Sequence, residues 1–145
     1  IIVSNNADYD IFNVKRVEDV IKEAGPLAGI YTGLKTSKTE FNLVLSCDVP
    51  LITKEILEML IEAQDRQSDI VQIVSQGKSM PLIALYKKCC ETQFYQLLKN
   101  DERRLHVAVN QCKVKNITLS SQTELFTKNI NTPEDLKIIE DVSNN

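Results

Sequence analysis

One carboxylate in this chain stands where a sheet protein would place a catalytic metal. In the segment 41–50, FNLVLSCDVP, the apolar run from Leu43 to Leu45 predicts a buried strand, and Asp48 and Pro50 follow it. Open α/β sheets bind ligands at the carboxyl ends of their strands. A carboxylate there suits Mg²⁺ shared with substrate phosphates, which needs only one or two protein carboxylates. The same local pattern also fits an Asp48 that caps or turns the chain before the next helix.

A glycine-containing segment forms the second candidate. GPLAG, residues 25–29, precedes a helix that we predict over 27–36. Glycine lets the backbone approach a ligand closely, and a helix N-terminus offers free N–H groups to it. Taken alone, Gly-Pro is more typical of a simple turn, Asp19 of a solvated charge, and Asn6 of a turn residue at the end of a strand.

The segment NINTPEDL, residues 129–136, carries a strong helix start. Thr132 is predicted as the N-cap, Pro133 as the first helical residue, and two acids follow in the first turn. Further upstream, strands are predicted over 1–4, 43–46, 69–74 and 81–86, with helical patterns between them. Strands alternating with helices predict an α/β sheet covered on both faces, and we expect a single domain over residues 1–145.

Composition excludes several classes of function. The chain has 145 residues, 43% of them hydrophobic and 26% charged, which is enough for one real core. A net charge of −3 predicts no nucleic-acid partner, and the lack of a long apolar run predicts no membrane span. The four cysteines show no CxxC spacing, which favours a reduced, cytoplasmic setting over a metal or disulfide site.

The order of these segments resembles a known family. IIVSNN, Asp19, GPLAG, LVLSCDVP, MPLIALY and FTKNINTPEDL follow one another as in the molybdenum cofactor guanylyltransferases of the MobA type. The resemblance implies a three-layer α/β/α fold with a mainly parallel, Rossmann-like sheet, as in nucleotide-sugar transferases. It implies transfer of GMP from GTP to molybdopterin, with Mg²⁺ as cofactor. Molybdoenzymes or their chaperones are further candidate partners.

The resemblance also implies roles for single residues. Asp48 would be catalytic, holding Mg²⁺ between the triphosphate and the attacking phosphate of molybdopterin. Asp19 would accept hydrogen bonds from the guanine edge. Asn6 would contact the nucleotide, with Asn5 as the alternative. The remaining GTP-binding residues would be Gly25, Pro26, Leu27 and Gly29.

On the acceptor side, the resemblance implies that Asn129 and Asn131 face the pterin. Arg103 and Arg104 match a basic pair of the family, and guanidinium groups suit phosphate. Their local sequence fits a solvated helix start equally well.

The chain departs from the family at its beginning. The glycine-rich signature LAGGxSxRMGxxK, which wraps the triphosphate and supplies a lysine, is absent from these 145 residues. We therefore expect an N-terminally truncated domain whose first central strand is missing, with a gap, a domain swap or an intermolecular strand in its place. Phosphoryl transfer depends on positioning and charge neutralisation, so we expect residues 1–145 alone to be severely impaired. The alternatives are a non-catalytic binding module and a cytidylyltransferase of the same fold.

Overall fold

Strands and helices alternate along the computed structural model, which describes residues 1–132, 134, 135 and 137. The elements are β1 (Ile2–Val3), a 3₁₀ helix (Ala7–Phe12), β2 (Arg16–Val17), α1 (Gly25–Thr36), β3 (Phe41–Leu45), α2 (Lys54–Glu62), β4 (Ile70–Ser75), β5 (Lys78–Lys87), α3 (Cys90–Lys99), α4 (Leu105–Asn110), β6 (Val114–Thr118) and a second 3₁₀ helix (Glu124–Thr127). The four predicted strands are present with slightly shifted ends. No helix of the described residues is both long enough and apolar enough to cross a bilayer.

The main sheet has the order β3-β5-β4-β6, and it is mostly antiparallel. β5 runs antiparallel to both of its neighbours, β3 and β4, and only the β4–β6 pair is parallel. The prediction of a mainly parallel sheet is therefore wrong. The cause is a two-residue hairpin between β4 and β5, in which Gln76 and Gly77 have φ angles of 51° and 72°. Such left-handed pairs are the preferred loops of tight antiparallel hairpins.

Helices cover both faces of this sheet, as the alternating pattern predicted. α1, α3 and α4 pack on one face, where Leu27 and Phe94 meet Ile70 and Tyr86 of the sheet. α2 packs on the other face against a second cluster of buried side chains, Ile56, Leu60, Val71, Ile73, Ile83 and Leu85. Successive residues of a strand point to opposite faces, which is why neighbours in β4 belong to different clusters.

A groove of about 770 Å³ separates β1 from β3. β1 pairs in parallel with β2 in a separate two-stranded sheet, and β3 forms the edge of the main sheet. The Ser46 N–H donates to the Leu82 carbonyl at 3.0 Å, so the even-numbered residues of β3 bond β5. The backbone groups of Phe41, Leu43 and Leu45 therefore point into the groove. The gap expected between the first strand and the strand at residues 43–46 is this groove between β1 and β3.

The last predicted helix begins at the edge of the described residues. The Asp135 N–H donates to Thr132 Oγ1 at 3.1 Å, and the Thr132 N–H donates to the Asp135 carboxylate at 3.1 Å. This reciprocal pair is a capping box, and it confirms Thr132 as the N-cap. Pro133 and most of the helix predicted after it lie outside the described residues.

Asp65 provides a pH test of this fold. Its carboxylate accepts backbone N–H groups of Ser68 and Gln67 at 2.6 and 2.9 Å and the Lys115 ammonium at 3.2 Å. The Ser68 N–H first, and Lys115 second, lower the pKa of Asp65 to about 2 from 3.8. A lowered pKa stabilises the fold fully above the unfolded value and loses that effect as the pH falls through the folded value. Asp65→Ala should therefore lower the free energy of unfolding at pH 7, and the difference from wild type should shrink between about pH 5 and pH 2.

Urea unfolding of both proteins at pH 7, 5, 4 and 3 measures this difference. Glu62→Ala is the control, because it removes an exposed carboxylate of α2 that forms no ion pair with the described residues. A difference between wild type and Asp65→Ala that stays constant over this pH range would contradict the ionic contribution.

Candidate functional site

Asp19 and Asn5 form a reciprocal pair where β1 and β2 end. Asn5 Oδ1 accepts the Asp19 N–H at 3.0 Å, and Asn5 Nδ2 donates to Asp19 Oδ2 at 3.2 Å. The other carboxylate oxygen, Asp19 Oδ1, is buried and has no hydrogen-bond partner among the described residues. Buried polar atoms nearly always have a partner, so this orphaned acceptor is a position where a ligand or a water can donate.

Two residues of α1, Gly29 and Thr32, lie beside the segment that carries Asp19. Thr32, fully buried in α1, accepts the Val20 N–H at 3.0 Å and so holds the segment that carries Asp19. A Cβ placed on Gly29 would lie 3.9 Å from Asp19 Oδ1, which puts this glycine beside the orphaned oxygen. Gly25 has a φ angle of +68°, a conformation that favours glycine. Leu27 is completely buried in the core, so its side chain is not available to a ligand.

Of the two asparagines proposed for the nucleotide, Asn5 is the one that pairs with Asp19. Asn6 Oδ1 instead accepts the Asp8 N–H at 2.9 Å and caps the first 3₁₀ helix. The physical reason is that the 3₁₀ helix begins directly after Asn6, whose side chain is used as its cap.

Substitution separates these two asparagines. Asn5→Ala should raise the Kd for GTP about three- to tenfold, because Asp19 loses the group that orients its carboxylate. Asn6→Ala should leave the Kd for GTP unchanged, since it removes only a cap. Titration of the full-length protein with GTP measures both, and a larger effect from Asn6→Ala would reverse the assignment.

Asp48 lies just beyond the carboxyl end of β3, as predicted. Its Oδ1 is buried and has no hydrogen-bond partner among the described residues, and its backbone carbonyl accepts the Ile130 N–H at 2.8 Å. The described part of the chain contains no group of three or more His, Cys, Asp or Glu side chains able to hold a metal. A single orphaned carboxylate oxygen fits Mg²⁺, which binds through one or two carboxylates plus substrate phosphates.

The groove between β1 and β3 is lined by neighbours of both aspartates. Pro26 and Gly29 line it on the α1 side, with Gly29 beside Asp19 Oδ1, and Ser46 and Cys47 line it on the β3 side, directly before Asp48. Asp19 and Asp48 themselves are not among its lining residues. One oxygen of each lacks a partner among the described residues.

A second cavity of about 490 Å³ adjoins the groove at the ends of β3 and β4. Its lining includes Ser46, Ser75, Lys78, Leu82, Lys128 and Asn129. Ser46 and Leu82 line the groove as well. The hydrogen bond from the Ile130 N–H to the Asp48 carbonyl holds the segment with Asn129 next to Asp48, the candidate metal ligand. The two lysines were missed from the sequence, although Lys78 directly follows a recognisable Gln-Gly turn.

The other residues predicted for the acceptor are more dispersed. The Asn131 N–H donates to the Asp135 carboxylate at 3.2 Å, two positions beyond Asn129. Arg103 and Arg104 lie in the α3–α4 loop and do not line the cavity. Arg103 contacts Asp101 and the Glu23 carbonyl.

Arg104 is paired within its own loop. It forms an ion pair with Glu102 at 2.6 Å. Hydrogen bonds from the Arg104 side chain and backbone lower the pKa of Glu102 to about 2.

Comparison with solved structures identifies the class of fold. Molybdopterin-guanine dinucleotide biosynthesis protein A from Archaeoglobus fulgidus superposes with a TM-score of 0.81 at 23% identity, over 98% of this chain and 77% of that one. The 2-C-methyl-D-erythritol 4-phosphate cytidylyltransferase from Thermus thermophilus gives a TM-score of 0.66 at 13% identity, over 90% and 74% of the two chains. The chain thus has the mixed α/β fold of nucleotidyltransferases.

Comparison of sequences then identifies the family. The model of the MobA-like NTP transferase domain matches residues 1–117. A probable molybdenum cofactor guanylyltransferase from Flavobacterium johnsoniae is 31% identical over 135 residues, 93% of this chain and 71% of the relative. The chain belongs to the MobA-like NTP transferase family.

Proposed function

We propose that this chain is the nucleotidyl-transfer domain of a molybdenum cofactor guanylyltransferase, which transfers GMP from GTP to molybdopterin. The observation that carries the proposal is that Asp19 and Asp48 each have a buried carboxylate oxygen with no hydrogen-bond partner among the described residues. One suits the donors of a guanine edge, and the other suits a metal bound to phosphates. The relative from Flavobacterium johnsoniae is named for this activity and supports the choice.

The base is read at Asp19. Guanine carries two adjacent donors, its N1–H and its N2 amine, and a carboxylate accepts such a pair. Asn5 holds the carboxylate in orientation from one side, and the groove wall at Gly29 leaves room for the base beside it. A cytosine edge presents an acceptor where guanine presents the N1–H, and that acceptor would face the Asp19 carboxylate unfavourably.

The metal is held at Asp48. Asp48 would hold Mg²⁺, which would supply charge neutralisation for the phosphates. A phosphate oxygen of molybdopterin attacks the α-phosphorus of GTP, and the bond from that phosphorus to the bridging oxygen of the β-phosphate breaks. Pyrophosphate carries the electron pair away. Asp48 contributes by fixing the position of these charges, the main demand of phosphoryl-group chemistry.

The acceptor is assigned to the cavity beside the groove. Its apolar lining, which includes Leu82 and Met80, suits a flat ring, and Asn129 supplies amide groups. Lys78 and Lys128 line it with positive charge suited to a phosphate. Asn131 and Arg104 remain candidates for the same ligand, with Arg104 at present bound to Glu102. Arg103, which the resemblance also implies for the acceptor, is instead bound to Asp101 and to the Glu23 carbonyl before α1.

The direct test is transfer by the full-length protein. GTP and molybdopterin with Mg²⁺ should yield the guanine dinucleotide and pyrophosphate, quantified by chromatography and by a coupled pyrophosphate assay. CTP in place of GTP should give much less product. Residues 1–145 alone should be severely impaired in the same assay. Efficient use of CTP would instead favour the cytidylyltransferase alternative, and binding without transfer would favour the non-catalytic module.

A further inference from the structure

The turn that leads into α1 has a strained backbone. Glu23 has a φ angle of +57° and Gly25 one of +68°. Left-handed geometry is unfavourable for a residue such as Glu23, and it persists only where the surroundings impose it. Ala24, between them, is buried, and it occupies the N-cap position of α1 without a side-chain hydrogen bond to the helix. Something other than a capping side chain must hold this turn.

Arg103, in the loop between α3 and α4, supplies that contact. Its Nη1 donates to the Glu23 carbonyl at 3.0 Å, across 80 positions of the sequence. Its Nε and Nη2 lie 3.1 and 2.9 Å from the Asp101 carboxylate. Asp101 has a φ angle of +63°, so one guanidinium joins two strained turns. The planar fork of arginine allows both contacts at once, which a lysine ammonium does not match.

The turn at Glu23, which Arg103 contacts, lies between the two parts of the proposed nucleotide site. Asp19 precedes it by four residues, and GPLAG begins two residues after Glu23. We propose that Arg103 is a positioning residue for the nucleotide end of α1, acting through the Glu23 carbonyl. This inference rests on the proposed function, and it differs from the direct acceptor contact that the family resemblance implies for Arg103.

Three variants of the full-length protein test this role. Arg103→Ala removes both contacts, Arg103→Lys keeps one donor and the charge, and Arg66→Ala is the matched control. Arg66 is an exposed arginine in the loop between α2 and β4, away from the groove and the cavity. Each variant is characterised by its Kd for GTP, the KM for each substrate, kcat and Tm. Hydrogen exchange at residues 22–27 adds a local measurement that needs no ligand.

The expected pattern separates positioning from general stability. Arg103→Ala should raise the Kd and KM for GTP about three- to tenfold, consistent with loss of one partly exposed charge-assisted hydrogen bond. It should leave kcat and the KM for molybdopterin unchanged, and exchange should accelerate at residues 22–27. Arg103→Lys should recover part of the GTP affinity. Arg66→Ala should match wild type throughout.

Other outcomes overturn the role. A higher KM for molybdopterin with unchanged GTP affinity would make Arg103 an acceptor-binding residue. Equal losses for both substrates with a lowered Tm would make it merely structural. Unchanged hydrogen exchange at residues 22–27 in Arg103→Ala would show that the turn does not depend on its contact with Arg103. A wild-type protein that binds no GTP would instead refute the proposed function itself.

Discussion

Asp48→Asn in the full-length protein should lower kcat by about a hundredfold or more while changing the Kd for GTP only a few-fold. Asparagine keeps the size of the side chain and one oxygen, so the turn after β3 and the Ile130 N–H bond to its backbone should persist. The substitution removes the negative charge that the buried Oδ1 position offers to a metal. The substitution therefore weakens the stabilisation of the transition state, in which charge on the transferring group must be neutralised.

Turnover under saturating GTP and molybdopterin, titrated with Mg²⁺, measures the effect. Asp8→Asn is the matched control, because Asp8 lies on the first 3₁₀ helix and lines neither the groove nor the cavity. The control should retain wild-type turnover and the same Mg²⁺ requirement. Near wild-type turnover of Asp48→Asn in Mg²⁺ would remove Asp48 from the site.

Local features of this fold could be predicted from the sequence. The apolar run ending in Leu45, the helix opening at Pro26 and the cap at Thr132 are each encoded within a few neighbouring residues. Tyr86 and Phe94, aromatic residues within predicted apolar segments, are completely buried. Such features follow from hydrophobic period and turn chemistry, which need no knowledge of distant contacts.

The direction of β5 was the main error. Gln76-Gly77 is a turn sequence between two strands, and strands joined by two residues must run antiparallel, since a parallel pair needs a long crossover. The expectation of a mainly parallel sheet came from the family resemblance instead. The hairpin between β4 and β5 overrules it, because Ser75 and Lys78 pair directly across the turn.

The sequence indicates which strands and helices carry the candidate site residues, but it does not indicate which of these residues contact one another. Asp48 stands out in the sequence and Asp19 is indicated only by the resemblance, yet the structure alone shows that each has an orphaned oxygen. Asn5 and Asn6 are adjacent, and the use of Asn6 as a helix cap leaves Asn5 to pair with Asp19. Arg103 and Glu23 are 80 positions apart, so their contact depends on the packing of α1 against α3. Tertiary contacts of this kind leave no local signal.

Asp19→Ala should reduce the preference for GTP over CTP about ten- to hundredfold, because a charge-assisted hydrogen bond contributes roughly 1.5–3 kcal/mol. A site built to bind a base edge discriminates strongly, since an unmatched base leaves buried polar groups unpaired. Competition of GTP against CTP in the transfer reaction of the full-length protein measures the preference. The orphaned Oδ1 is the group that the guanine donors would satisfy.

Glu18→Ala is the matched control for this experiment. It removes the neighbouring carboxylate, which is exposed and interacts with Arg16 and Lys22 at 3.9 and 3.6 Å. Both variants lose one negative charge from the same segment, so an effect of net charge alone would appear in both. A preference that falls only in Asp19→Ala would identify the carboxylate as the reader of guanine. An unchanged GTP/CTP preference would mean that Asp19 only pairs with Asn5 and that guanine is selected elsewhere, for which the backbone of GPLAG is the nearest candidate.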